Sequence, residues 1–160
     1  MKKTILISLF SLLFLTACGF SMRGTDTQAL DASLQQLQLN YSSGNELGQV
    51  LQGRLAAFEI ELLDDAEVHQ LSLGDEQVRE RILSVNRNVR AGEYEITLSA
   101  SFQLSKQGQS IFNPELITVN QIYEADPANA AAKTNEAELV KTELRQELVE
   151  QIIRRLETVR

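Results

Sequence analysis

Tyr94-Glu95-Ile96-Thr97-Leu98-Ser99-Ala100-Ser101-Phe102-Gln103-Leu104 alternates apolar and polar side chains without a break. A strict period of two gathers Tyr94, Ile96, Leu98, Ala100, Phe102 and Leu104 on one face, the pattern of a long strand with one side buried. Lys106-Gln107-Gly108-Gln109 follows as a turn, and Leu116 to Tyr123 resumes as a strand with Ile117, Val119 and Tyr123 on one side. Upstream, Asn86 to Gly92 is another turn. Before it, His69 to Gly74 alternates with Leu71 and Leu73 on one face, and from Val78 to Ile82 the apolar phase moves to even positions. Gly74 is placed to absorb that change as a bulge or bend. These three strands read as a meander.

The flanks supply one further strand and two helices. Leu37, Leu39 and Tyr41 alternate with Gln38 and Asn40, a half-buried strand. Ser43 with Glu46 three residues on has the spacing of a capping box. Leu47, Val50, Leu51, Leu55 and Phe58 then form one helical stripe, and Glu59 to Leu63 leads out as a short extended segment. Asp126-Pro127 ends the last strand and opens a loop running to Lys133. Asn135 and Glu138 make a second capping pair for a C-terminal helix, whose ridge is Val140, Leu144, Leu148, Ile152 and Leu156, widened by Val149, Ile153 and Val159. The order β-α-β-β-β-α predicts an α+β fold: two helices packed on one face of a four-stranded mixed β-sheet.

The N-terminus carries a different signal. Lys2 and Lys3 precede an apolar run from Ile5 to Leu15, and Leu15-Thr16-Ala17-Cys18 follows. This is the form of a secretory signal whose cleavage site ends in cysteine, the lipobox of a bacterial lipoprotein precursor. The run is shorter than the ~20 residues of a membrane-spanning helix, and Gly19 and Ser21 follow at once. Residues 1–17 are therefore expected to be a cleaved signal peptide and Cys18 the lipidation site. Residues 18–33 then form a lipidated N-terminus and tether, and 34–160 a single domain. Cys18 is the only cysteine, so no internal disulfide can form. Each buried acyl methylene contributes about 0.8 kcal/mol, which makes several chains an effectively permanent anchor. Gly19, rather than an aspartate after the cysteine, favours sorting to the outer membrane.

Composition narrows the function. The formal net charge of −7 argues against a nucleic-acid partner. Between Ala57 and Gln77 the charged residues are all acidic: Glu59, Glu61, Asp64, Asp65, Glu67, Asp75 and Glu76. Between Arg79 and Arg90 the balance reverses, with Arg79, Arg81, Arg87 and Arg90 against Glu80 alone. His69 is the single histidine, which removes a His/Cys metal site and leaves a Ser-His-Asp arrangement resting on one strand residue. Asp64-Asp65 is adjacency on a loop rather than a cleft, and no glycine-rich phosphate loop occurs. The expectation is a non-enzymatic chain without a cofactor. Arg87 and Arg90, on the turn between two strands, offer guanidinium forks suited to a phosphate, though the same charges serve as a solvated turn or an edge guard. Lys133 has the same two readings.

Leu15-Thr16-Ala17-Cys18-Gly19-Phe20-Ser21-Met22-Arg23-Gly24 resembles the Cys-Gly-aromatic-x-Leu/Met-Arg start of the LptE family of LPS-assembly lipoproteins. Arg87-Asn88 followed by Glu93-Tyr94 resembles that family's Arg-Asn…Glu-Tyr segment. Asp126-Pro127 to Lys133, with a helix ending Ile153-Arg154-Arg155-Leu156, is similar to its C-terminal third. The resemblance implies two helices on a four-stranded sheet, in agreement with the periodicities. It implies an outer-membrane lipoprotein that plugs an LptD-like β-barrel, assists assembly of that barrel and helps deliver lipopolysaccharide to the outer leaflet. By match to the motifs, Arg87 and Lys133 would contact lipid A phosphates; Arg90 joins them on charge alone. The acidic Glu59–Glu76 stretch would then face away from the lipid. An auxiliary lipoprotein of another envelope lipid-transport complex is the alternative.

Overall fold

The computed structural model describes residues 30–85, 92–126 and 128–159. Its spine is the stretch with the unbroken alternation, which forms β5 (Gly92–Lys106). The remaining strands are β1 (Gln36–Asn40), β2 (Glu61–Leu62), β3 (His69–Leu73), β4 (Gln77–Val85) and β6 (Gln109–Ala125). β3 and β4 lie end to end along one edge of β5, antiparallel to it, and β6 runs antiparallel along the other. β1 pairs in parallel with both β3 and β2, so the sheet is mixed, as expected.

The strand count exceeds the four expected, for two local reasons. Glu61-Leu62 joins β1 as a two-residue strand. The long second strand is interrupted where the apolar phase changes, at Gly74, whose N–H still donates to the Ser101 carbonyl at 2.7 Å. A Cβ at Gly74 would lie 2.4 Å from Ser101 Oγ, so close backbone approach holds glycine there. The β5–β6 hairpin turns on Gln107 and Gly108 with φ of 49° and 76°, the left-handed pair of a tight two-residue hairpin. β6 extends well beyond the expected Leu116–Tyr123, and two register shifts around Ile111 and Pro114 absorb the proline.

Helix α1 (Glu46–Ala57) starts at Asn45 rather than at the expected Ser43. Gly44, at φ 90°, turns the chain one step later, and the Asn45 side chain accepts from Gly48 N at 3.2 Å. Its Nδ2 donates to the Gly74 carbonyl, tying the start of α1 to the β3–β4 break. Helix α2 (Ala130–Leu156), by contrast, starts earlier than expected, capped by Asn129, which accepts from Ala132 N at 3.1 Å. Asn135 and Glu138 are therefore interior. Ala130, Ala131 and Ala132 carry the strongest intrinsic helix preference, so the helix forms as soon as a cap precedes them.

Both helices cover the even-numbered face of β5. Ile96, Leu98 and Leu104 of β5, Leu144, Leu148 and Ile152 of α2, and Leu47, Leu51 and Leu55 of α1 are buried in one core with Leu37 and Leu71. Leu30 and Leu34 are also in this core, the latter on a 3-10 turn, Ala32–Leu34, capped by Asp31. The opposite face stays uncovered by any described element. Thr97, Ser99, Thr118, Asn120, Arg81 and Glu95 stand on it, with Leu116 and Ile122 exposed among them. It is this bare polar face that distinguishes the two sides.

Candidate functional site

Of the four site residues expected from sequence, the structure locates one. Cys18, Arg87 and Arg90 lie outside the described residues. Lys133 stands on the second turn of α2, not in the loop expected for it. Its Nζ is 2.8 Å from Glu80 Oε1 of β4 and 4.0 Å from the centroid of the Tyr94 ring of β5. Tyr94 stacks on Tyr123 of β6 with centroids 5.4 Å apart, and the Tyr123 hydroxyl donates to Glu80 at 3.2 Å. Lys133 and Tyr123 thus meet on the Glu80 carboxylate, with the Tyr94 ring against both of them.

The electrostatics follow from that contact. The Lys133 hydrogen bond, opposed by partial burial, holds the Glu80 carboxyl below the ordinary glutamate range. The same bond raises Lys133, and burial together with the neighbouring Glu80 charge pushes the Tyr123 phenol up to about 12. Lys133 is therefore a paired cation, with its side chain 32% exposed. It can meet an anionic ligand by exchanging Glu80 for it. Tyr94 lies two residues from Gly92, which opens β5 and pairs with Val85 at the end of β4. The cluster accordingly sits toward the Gly92–Val85 end of the β4–β5 ladder.

The partners of Lys133 were not singled out from sequence, yet one had a signal. Glu80 shares the even phase of Val78 and Ile82, so a carboxylate stands on the helix-side face of its strand. Such a residue needs a cationic or hydroxyl partner. Tyr94 and Tyr123 read only as core residues, and nothing in their spacing marks a bond to Glu80.

The acidic stretch and His69 are elsewhere. Glu61 lies on β2, and His69 pairs across to Lys106 at the far end of β5 from the Lys133 cluster. His69 is 5% exposed on the core side of β3. Burial, then the nearby Lys106, keeps its imidazole below its ordinary pKa, against the pull of the Ser33 backbone and Asp31. A cleft of about 590 Å³ beside it is lined by Leu30, Phe58, Glu67 and Lys106. The Glu76 carboxylate is engaged by Arg145.

With this geometry in hand, known proteins provide the comparison. The family model described as LptE, lipopolysaccharide-assembly, matches residues 27–156. A relative from Yersinia pestis (strain Pestoides F), named LPS-assembly lipoprotein LptE, is 30% identical over 160 residues, covering 98% of this chain and 75% of the relative. Its namesake from Pectobacterium atrosepticum is 29% identical over 154 residues, covering 93% and 82%. Among solved structures, the rare lipoprotein B from Shewanella oneidensis superposes with a TM-score of 0.68 at 27% identity, covering 76% of this chain and 92% of that one. A minor lipoprotein from Acinetobacter baumannii shares the fold, with a TM-score of 0.65 at 22% identity over 78% and 91% of the two chains. The α+β architecture and the family model, matched over nearly the whole described fold, agree: this chain belongs to the LptE family of lipopolysaccharide-assembly proteins.

Proposed function

We propose that this chain is an outer-membrane lipoprotein that plugs an LptD-like β-barrel, assists the assembly of that barrel and helps deliver lipopolysaccharide to the outer leaflet. Membership of the family establishes the coarser part, a non-enzymatic lipoprotein of lipopolysaccharide assembly in the Gram-negative envelope. The observation that carries the finer reading is the bare sheet face of β4, β5 and β6. A barrel lumen is polar, so a plug needs a broad surface of hydrogen-bonding groups rather than an apolar patch. Thr97, Ser99, Thr118 and Asn120 offer such groups, and the Arg81–Glu95 pair adds charges of both signs.

Anchoring is assigned to Cys18 after removal of residues 1–17, with residues 18–33 as the tether, whose end is held in the fold by Leu30 and the turn at Ala32–Leu34. No helix of the described residues is long and apolar enough to cross a membrane, so acyl chains at Cys18 would provide the attachment. Lys133, exchanging Glu80 for a lipid A phosphate, is the assigned lipid contact, and Arg87 and Arg90, between β4 and β5 in sequence, are assigned with it. The acidic Glu59–Glu76 stretch is assigned away from that contact; Glu61 on β2 pairs toward the other end of the sheet, and Glu76 is engaged by Arg145.

Photo-crosslinkers at Thr97 and Thr118 test the docking face in cells. They should capture a large outer-membrane β-barrel, whereas a crosslinker at Glu147, exposed on α2, should capture much less. Capture from Glu147 alone would overturn the assignment of the face.

A further inference from the structure

The outer edge of β4 is unpaired among the described residues, and it differs from the other long edge of the sheet. β6 pairs regularly from Glu115 to Ala125 beyond Pro114 and its two register shifts, but it carries no lysine or arginine. The ladder of β4 is regular from Gln77 to Ile82, and every side chain from Gln77 to Ser84 is exposed. Val78 and Ile82, at 45% and 61% exposure, project on the helix side beyond the cover of α2, while Arg79 and Arg81 project on the bare face. An edge with exposed aliphatic side chains is one that proteins normally cover or guard with charge. Glu80 does not serve as that guard, because Lys133 and Tyr123 already engage its carboxylate. What remains at the edge is an aliphatic row on one side and a cationic row on the other. Arg79 makes no ion pair among the described residues. Arg81 is held by Glu95 through Nε, which leaves its outer guanidinium donors available.

We propose that the β4 edge is a docking site for an extended protein segment that alternates acidic and aliphatic residues and adds to the sheet as a further strand. Backbone hydrogen bonds to the unpaired groups of β4 supply the affinity, and alternate side chains supply the selection. Acidic residues of the segment lie beside Arg79 and Arg81, and its aliphatic residues lie beside Val78 and Ile82, where same-face neighbours on adjacent strands meet. The proposal does not rest on the lipid contact assigned to Lys133, although its partner Glu80 lies between Val78 and Ile82 in the same row.

The test uses the full chain in detergent and a capped seven-residue peptide alternating glutamate and valine. Saturable binding is expected, weakening as salt rises, with new hydrogen-exchange protection confined to the β4 amides. Arg79→Glu should lower the affinity on the order of tenfold and shift preference to a lysine–valine peptide. Arg79→Gln serves the same comparison, with a smaller loss, if charge reversal perturbs the fold. Methylating one alternate set of peptide amides should abolish binding. Methylating the other set should be tolerated, whereas protection at another strand, absence of saturable binding, or binding that survives methylation of each set in turn would overturn the proposal. Concentration-dependent protection of β4 without peptide would assign the edge to a second copy of the chain and likewise overturn it.

Discussion

Arg145, midway along α2, grips Glu76 with two parallel hydrogen bonds, Nε to Oε2 at 2.8 Å and a terminal guanidinium nitrogen to Oε1 at 2.9 Å, and both side chains are almost out of solvent at 11% and 12% exposure. The remaining guanidinium nitrogen reaches Glu46 at the start of α1. One side chain thus joins both helices to the break between β3 and β4. Removing one partner of such a pair leaves the other buried and unpaired, so Arg145→Ala should destabilise the fold by about 3–5 kcal/mol. Glu46→Gln, at a carboxylate 64% exposed, should change stability by less than about 1 kcal/mol. Urea unfolding of the two variants checks the contrast.

Glu80 competes with an anionic ligand for Lys133. Glu80→Gln should therefore strengthen lipopolysaccharide binding a few-fold, and Lys133→Asp should weaken it with the fold intact. The partly exposed Lys133–Glu80 pair contributes no more than about 1 kcal/mol, so neither effect should come from unfolding. Because the folded state depresses the Glu80 carboxyl, the contribution of the pair is present above the ordinary glutamate range and is lost as pH falls through the depressed value. Binding isotherms and circular dichroism on the same samples separate ligand effects from folding effects. Equal binding by both variants would remove Lys133 from the lipid contact.

The legible part of this fold is the part written in periodicity. The unbroken alternation of Tyr94 to Leu104 became β5, and the phase change around Gly74 became the β3–β4 break. The ridge from Val140 to Leu156 became the buried face of α2. Helix starts were less legible, because Ser43 and Asn45 both suit a cap and only the φ of Gly44 decides between them. Asn135 and Glu138 have capping spacing but lost to Asn129, which precedes three alanines. The site was legible only as charges. That Lys133 would be paired with Glu80 depends on α2 packing along β5 and β6 so that its start reaches β4, a tertiary fact that no local pattern in either segment encodes.

Gly48 and Gly53 occupy the same helix and should respond oppositely to alanine. A Cβ at Gly48 would lie 2.3 Å from the Tyr41 ring, whose hydroxyl is fixed by a 2.7 Å bond to Gln52. Gly48→Ala should therefore destabilise by about 1–3 kcal/mol through overpacking. A Cβ at Gly53 meets nothing within 4 Å, and Gly53→Ala should stabilise by roughly 0.5–1 kcal/mol through helix preference. Thermal melts of the single variants read both signs.

His69 should make stability fall on mild acidification. Its folded pKa is depressed, chiefly by burial, so the unfolded chain takes up a proton first as pH drops below about 6.5. The loss grows until pH passes the folded pKa and then stops growing. His69→Asn should flatten the stability profile between roughly pH 7 and 5, above the range where the carboxylates titrate. A variant with an undiminished slope in that window would contradict the assignment.

The most direct measurement is isolation of the native assembly from outer membranes in mild detergent through a tag on the C-terminus of this chain. The account predicts co-elution with a large β-barrel protein in constant ratio, and an acylated Cys18 as the first residue of the tagged chain by mass spectrometry. Recovery of a free monomer with an unmodified N-terminus, or of an inner-membrane transporter in place of the barrel, would contradict it.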